Sequence, residues 1–173
     1  MLRTGDQYRD SLCDGREVWV DGKKVEDVPN HPVFKPIVDI RSRIYDMAHE
    51  EEFSKKLTYT DEASGEKNCI GSKLPKTKSD WSSKREAIKT IMYEVGAVVT
   101  RVGDETAGEM WSLYDGTDIL NEVDPRFGKN IANHIQKVLK SDIFHVSANT
   151  DPKGDRSKLP QDQDPDMLLH AVK

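Results

Sequence analysis

Apolar residues recur at helical spacing over most of this chain and alternate as strands do over only a few short stretches. The sharpest helical run begins near Ser79, a side chain suited to an N-cap. It places Ile88, Ile91, Met92, Val95, Val98, Val99 and Val102 on one face. Phe127, Ile131, Ile135, Val138 and Leu139 form a second apolar stripe, just after Pro125, which suits a first helical turn. Phe34, Ile37, Ile44, Tyr45 and Ala48 trace a third helix, entered through Asn30-His31-Pro32. Residues 104–114 predict a further helix, and residues 4–13 a short one started by Thr4.

Strand signals are fewer. Glu17-Val18-Trp19-Val20 and Lys23-Lys24-Val25 flank Asp21-Gly22, a pair that accepts the positive φ angles of a tight hairpin turn. Residues 57–75 read as irregular, with a loose hairpin around Ser64-Gly65, and Asp115-Gly116 reads as a plain turn. Ile143-Phe144-His145-Val146 and the run Met167-Leu168-Leu169-His170-Ala171-Val172 each read as a strand. Between them lie the turn-rich stretches Asp151-Pro152-Lys153-Gly154-Asp155-Arg156 and Asp164-Pro165-Asp166. A strand needs a ladder. The pattern therefore predicts a helical domain over 1–142 and the opening strands of a truncated β-domain over 143–173.

Composition narrows the partners. Of 173 residues, 35% are hydrophobic and 33% charged, polar even for a water-exposed domain, although the helical stripes exclude wholesale disorder. A net charge of −5 supplies no electrostatic case for nucleic acid or an anionic membrane. No stretch approaches the roughly 20 apolar residues of a membrane span, and the first residues lack the apolar core of a signal peptide. Cys13 and Cys69 are far apart and read as reduced thiols, so the expectation is a cytoplasmic protein with no resident metal.

Few residues carry chemistry by themselves. Arg101, after the apolar helix, either clamps a carboxylate or phenolate through paired hydrogen bonds or complements a helix C-terminus, which is the commoner role. The turn at 151–156, with Arg156, either holds a phosphate or the polar edge of a planar cofactor, or simply links two strands. Its aspartates lack the spacing of a calcium loop. His145 and Ser147 share one face of a strand, where a lone histidine is usually structural. Residues alone lead to a mainly helical module with an anion-friendly turn.

The order of several short motifs adds more. Arg3-Thr4-Gly5-Asp6-Gln7-Tyr8, Gly15-Arg16-Glu17-Val18, Asp21-Gly22, His31-Pro32, Tyr45-Asp46, Leu57-Thr58-Tyr59-Thr60, Lys84-Arg85 and the Asp151–Arg156 turn together resemble the N-terminal part of the 4-hydroxyphenylacetate 3-hydroxylase family. The resemblance spans nearly the whole chain and about the first third of a typical member. It implies an acyl-CoA dehydrogenase-like architecture, here the N-terminal helices and the first strands of the middle β-domain. It also implies FAD, a homo-oligomer, and a flavin reductase that supplies reduced flavin for phenol hydroxylation.

Carried over residue by residue, the resemblance assigns Arg101, Asp104, His145 and Ser147 to substrate and Asn149, Lys153, Gly154, Asp155 and Arg156 to flavin. It departs at three positions of the substrate motif, where Thr100, Gly103 and Glu105 replace a glycine, a proline and a tyrosine, and at Ser147, which replaces a histidine. The 4-hydroxybutyryl-CoA dehydratase branch of the family resembles this chain at the Asp151–Arg156 turn, but its cluster cysteines fall near Val98 and Val102, and valine cannot ligate iron. Two further readings follow: a dehydratase-like member without the iron–sulfur cysteines, and a non-catalytic chain that docks to a complementary one.

Overall fold

Seven helices and two small hairpins build the computed structural model, which describes residues 2–62, 64–97, 104–144, 157–159 and 162. Helix α1 (Gly5–Asp10) starts where expected. The Thr4 hydroxyl accepts from the Gln7 amide while the Gln7 side chain accepts from the Thr4 amide, a reciprocal cap. Strands β1 (Trp19–Val20) and β2 (Lys23–Lys24) pair antiparallel around Asp21 and Gly22, whose φ angles of 49° and 73° are those a two-residue hairpin demands.

Helix α2 (Lys35–Met47) begins after turns at His31–Phe34, with Pro36 in its first turn. Its buried face includes Val38, Arg41, Ser42 and Tyr45; of the expected stripe Tyr45 and Ala48 are buried and Ile44 packs on the core, while Ile37 is 47% exposed. The reason is α1, which crosses α2 so closely that a β-carbon on Gly5 would lie 2.7 Å from the Ser42 carbonyl oxygen. Only the face carrying Val38 and Ser42 can lie beneath it.

The sequence pattern missed helix α3 (Glu51–Leu57), which has acidic residues in its first turn and lysines in its last, matching the helix dipole. Strands β3 (Thr58–Thr60) and β4 (Lys67–Cys69) form the expected loose hairpin with Thr58 opposite Cys69. A 3₁₀ turn, Ile70–Ser72, follows.

Helix α4 (Lys78–Glu94) is capped by Thr77 rather than Ser79, since Asp80 and Thr77 bond reciprocally and fix the earlier start. It is also shorter than the apolar pattern predicts. Gly96 and Ala97 take φ angles of 66° and 56°, and this left-handed backbone ends the helix at Glu94. Val98, Val99 and Val102 lie outside the described residues, and Arg101 does not end this helix.

Helix α5 (Asp104–Asp115) occupies its expected place. The expected turn at Asp115-Gly116 follows, and Gly116 also caps α6 (Thr117–Val123). Helix α7 (Arg126–Ser141) buries Ile135 and Val138 and half-buries Ile131 and Leu139, while Phe127 is left 42% exposed. Phe127 lies in the first turn, before the stripe reaches α5. Ile143 and Phe144 belong to no strand, and the remaining strand expectations fall outside the described residues.

Two apolar clusters result. Met47, Leu57, Ile70, Ala87 and Ile91 join α2, α3, the 3₁₀ turn and α4. Met110, Ile135 and Val138 join α5 to α7. Arg43 crosses the first boundary, pairing with Glu50 and, at 2.7 Å, with Glu94. Among the described residues no helix is long and apolar enough to cross a membrane.

Gly5→Ala tests the α1–α2 approach. Alanine ordinarily favours a helix over glycine, but here its β-carbon meets backbone that cannot move alone. The expected result is a loss of about 1–3 kcal/mol, read as a lower urea midpoint with an unchanged slope.

Candidate functional site

A partly enclosed cavity of about 90 Å³ lies between α2, α4, α5 and the turn after α7, walled in part by the first cluster. Its walls are chiefly aliphatic, with Ile44, Leu57, Ile70, Ala87, Ile91 and Ala107 among them. Two cations stand at its edge.

Lys84, on the inner face of α4, is 7% exposed, and its ammonium donates to the carbonyls of Gly71 at 2.7 Å and Lys73 at 2.6 Å. The same turn is held from α5, where the Trp111 indole N–H donates to the Ser72 carbonyl at 3.1 Å. Lys84 thus satisfies backbone acceptors just past the β3–β4 hairpin, where among the described residues no third strand joins the sheet.

Arg41 is equally buried. Its guanidinium lies over the Phe144 ring, 3.6 Å from the centroid, and burial lowers its pKa despite the opposing Tyr45 and Tyr8 nearby. The aromatic face offers the buried cation a favourable quadrupole and places positive charge at the edge of the site.

Tyr45 fixes where Phe144 sits. Its hydroxyl donates to the Asp142 carbonyl at 2.9 Å and accepts from the Phe144 amide at 3.1 Å. Asp142 caps α7 in the left-handed conformation, and its carboxylate accepts from the Arg3 amide at 3.1 Å. Burial raises the Asp142 pKa, which the Arg3 contacts only partly offset, and burial pushes the Tyr45 hydroxyl up to about 12. Desolvation likewise pushes the Cys69 thiol to about 11, so it stays protonated and unreactive at neutral pH. Among the described residues no group of three or more His, Cys, Asp and Glu gathers to hold a metal.

Most candidate site residues fall elsewhere. Arg101, His145, Ser147, Asn149, Lys153, Gly154, Asp155 and Arg156 lie outside the described residues, and Asp104 contributes the first backbone turn of α5. The structure does bring their flanks together. Thr106 and Ala107, just after Asp104, line the same cavity as Ile143 and Phe144, just before His145. Arg41 and Lys84 escaped the sequence reading as site residues. Their signal was a charged residue on an otherwise apolar helical face, four positions before Tyr45 and three before Ala87.

Comparison with known proteins decides the family. The model of the 4-hydroxyphenylacetate 3-hydroxylase N-terminal region matches residues 4–173. The chain belongs to this family. It is 29% identical to the 4-hydroxyphenylacetate 3-monooxygenase oxygenase component of Thermus thermophilus, covering 100% of this chain and 35% of that one. It is 26% identical to the 4-hydroxybutyryl-CoA dehydratase/vinylacetyl-CoA-Delta-isomerase of Clostridium aminobutyricum, over 99% of this chain and 35% of that one.

Among solved structures, an oxygenase component of 4-hydroxyphenylacetate 3-monooxygenase complexed with FAD and 4-hydroxyphenylacetate matches with a TM-score of 0.80 at 28% identity, covering 93% of this chain and 33% of that one. An archaeal 4-hydroxybutyryl-CoA dehydratase from N. maritimus gives 0.77 at 26% identity, with 96% and 33% covered. The chain therefore spans about a third of the length of these relatives, and its helical body has their acyl-CoA dehydrogenase-like N-terminal fold.

Two substitutions test the site. Lys84→Met keeps the stem but strands the Gly71 and Lys73 carbonyls, and is expected to cost about 2–3 kcal/mol in chemical denaturation. Asp142 favours its neutral form when folded, so its contribution is full below the ordinary carboxylate pKa and is lost as pH rises through the raised value. Asp142→Asn should flatten that fall in urea midpoint between acid and neutral pH.

Proposed function

We propose that this chain forms the N-terminal side of a reduced-flavin-dependent monooxygenase acting on a phenolic or related substrate. The observation that carries this reading is the TM-score of 0.80 to an oxygenase component complexed with FAD and 4-hydroxyphenylacetate. In this reading residues 1–142 are the helical domain and 143–173 begin the β-domain. Arg101, Asp104, His145 and Ser147 face the substrate, and Asn149, Lys153, Gly154, Asp155 and Arg156 face the flavin. When bound, reduced flavin supplies the electrons that activate dioxygen. A separate flavin reductase would deliver it, and the assembled protein would be a cytoplasmic homo-oligomer.

The described residues limit what this chain does toward these groups. The cavity of about 90 Å³ between α2, α4 and α5 is apolar and partly open. What the described residues supply is position. Tyr45 fixes Phe144, and α5 carries Asp104 on the other side of the same cavity.

The dehydratase-like reading draws on the similar fit to the archaeal enzyme, with a TM-score of 0.77. An iron–sulfur cluster does not fit the residues present, since valines stand where the resemblance puts its cysteines and the thiols of Cys13 and Cys69 are free. The docking reading draws on Ile119 and Val123, neighbours on one face of α6 that are 71% and 78% exposed.

Titration of the 173-residue chain with FAD and with reduced FAD, followed by fluorescence and by molecular mass, separates these readings. Flavin binding by the chain alone supports a self-sufficient flavin surface. Binding only after addition of a chain carrying the family's remaining two-thirds supports a shared site. No flavin binding in either case sinks the monooxygenase reading.

A further inference from the structure

We infer that the cavity between α2, α4 and α5 is a site for a small apolar gas, and that its guest in the assembled protein is dioxygen. The dioxygen assignment rests on the monooxygenase reading; the gas-binding property does not. Volume, lining and polarity each point the same way.

Volume comes first. At about 90 Å³ the space is ample for a diatomic molecule or xenon. The lining then disfavours water. A buried water needs two to four polar partners, and the polar groups around this cavity are bonded to the protein. The Lys84 ammonium is bound to two carbonyls, the Tyr45 hydroxyl both donates and accepts, and the Asp142 carboxylate takes the Arg3 amide. The Arg41 guanidinium lies over the Phe144 ring. What faces the void is mainly aliphatic carbon from Ile44, Leu57, Ile70, Ala87, Ile91 and Ala107. The Cys69 thiol stands at the same wall, and burial raises its pKa.

Location gives the guest its meaning. The cavity is bounded on one side by Thr106 and Ala107 and on the other by Ile143 and Phe144. These are the chain neighbours of the residues proposed to face substrate and flavin. A gas held here is stored one or two residues from where the reaction needs it. No bond forms or breaks in the cavity; it raises the local concentration of an apolar reactant by transfer from water.

Methyl-resolved NMR of the full 173-residue chain tests this directly, with dissolved xenon and then dioxygen as probes. The expected result is a saturable xenon shift at the methyls of Ile44, Leu57, Ile70 and Ile91. Dioxygen should broaden those same signals several-fold more than the methyls of Met110, Ile135 and Val138, which are as buried but belong to the other cluster. Ala87→Leu and, from the opposite wall, Ala107→Leu fill the space and should abolish both effects.

Equal responses in the two clusters, no saturable shift, or long-lived water cross-peaks to the cavity methyls would each overturn the inference. The wild-type comparison decides the matter even if neither filled variant folds. Xenon binding needs no flavin, so its failure leaves the monooxygenase reading standing. Conversely, failed flavin titration with intact xenon binding removes dioxygen as the guest and keeps the gas site.

Discussion

The hydroxyl of Tyr45 ties the first third of this chain to the turn after α7, and the rest of the arrangement depends on that tie. One oxygen donates to Asp142 and accepts from Phe144, positions 97 and 99 residues away. Because Phe144 is held, the buried Arg41 has an aromatic face to lie on. Because Asp142 is held in a left-handed turn, its carboxylate reaches back to the Arg3 amide and fixes the entry to α1. Remove the tie and the cavity loses one wall, the cation loses its platform, and the chain's start loses its anchor.

Local chemistry was readable wherever it was self-contained. Thr4 announced its cap, Asp21-Gly22 announced its turn, and the α7 stripe appeared where Ile131, Ile135 and Val138 recur. The errors arose where one pattern ran on past a competing signal. Apolar residues from Ile88 to Val102 suggest one long helix, yet Gly96 sits inside that run, and its left-handed backbone stops the helix at Glu94. Tyr45 and Ala48 of the α2 stripe are buried, but Ile37 is not, because the close approach of α1 at Gly5 places the Val38 and Ser42 side of the helix beneath it. Periodicity describes a helix; it does not say which neighbour will choose the face.

The site was less readable than the fold. Motif order led to the family, and Tyr45-Asp46 and Lys84-Arg85 were among the motifs, but their roles were not visible. Lys84 serves carbonyls of a 3₁₀ turn more than ten residues away, and Arg41 serves a ring 103 positions away (144 minus 41). Such pairings are set by tertiary packing, so no local spacing encodes them. The two cations nonetheless share a readable anomaly, since each interrupts an apolar helical face at a position where a solvated charge would be costly.

The tie between Tyr45 and the turn after α7 also bears on the order in which this fold assembles. Closing a loop of about a hundred residues costs more chain entropy than closing the short β3–β4 hairpin, by an amount that grows with the logarithm of loop length. Helices and hairpins can form before that cost is met, whereas the Arg41 platform cannot. The cavity is accordingly a late product of folding, and the first feature to be lost when the two ends of the helical body part.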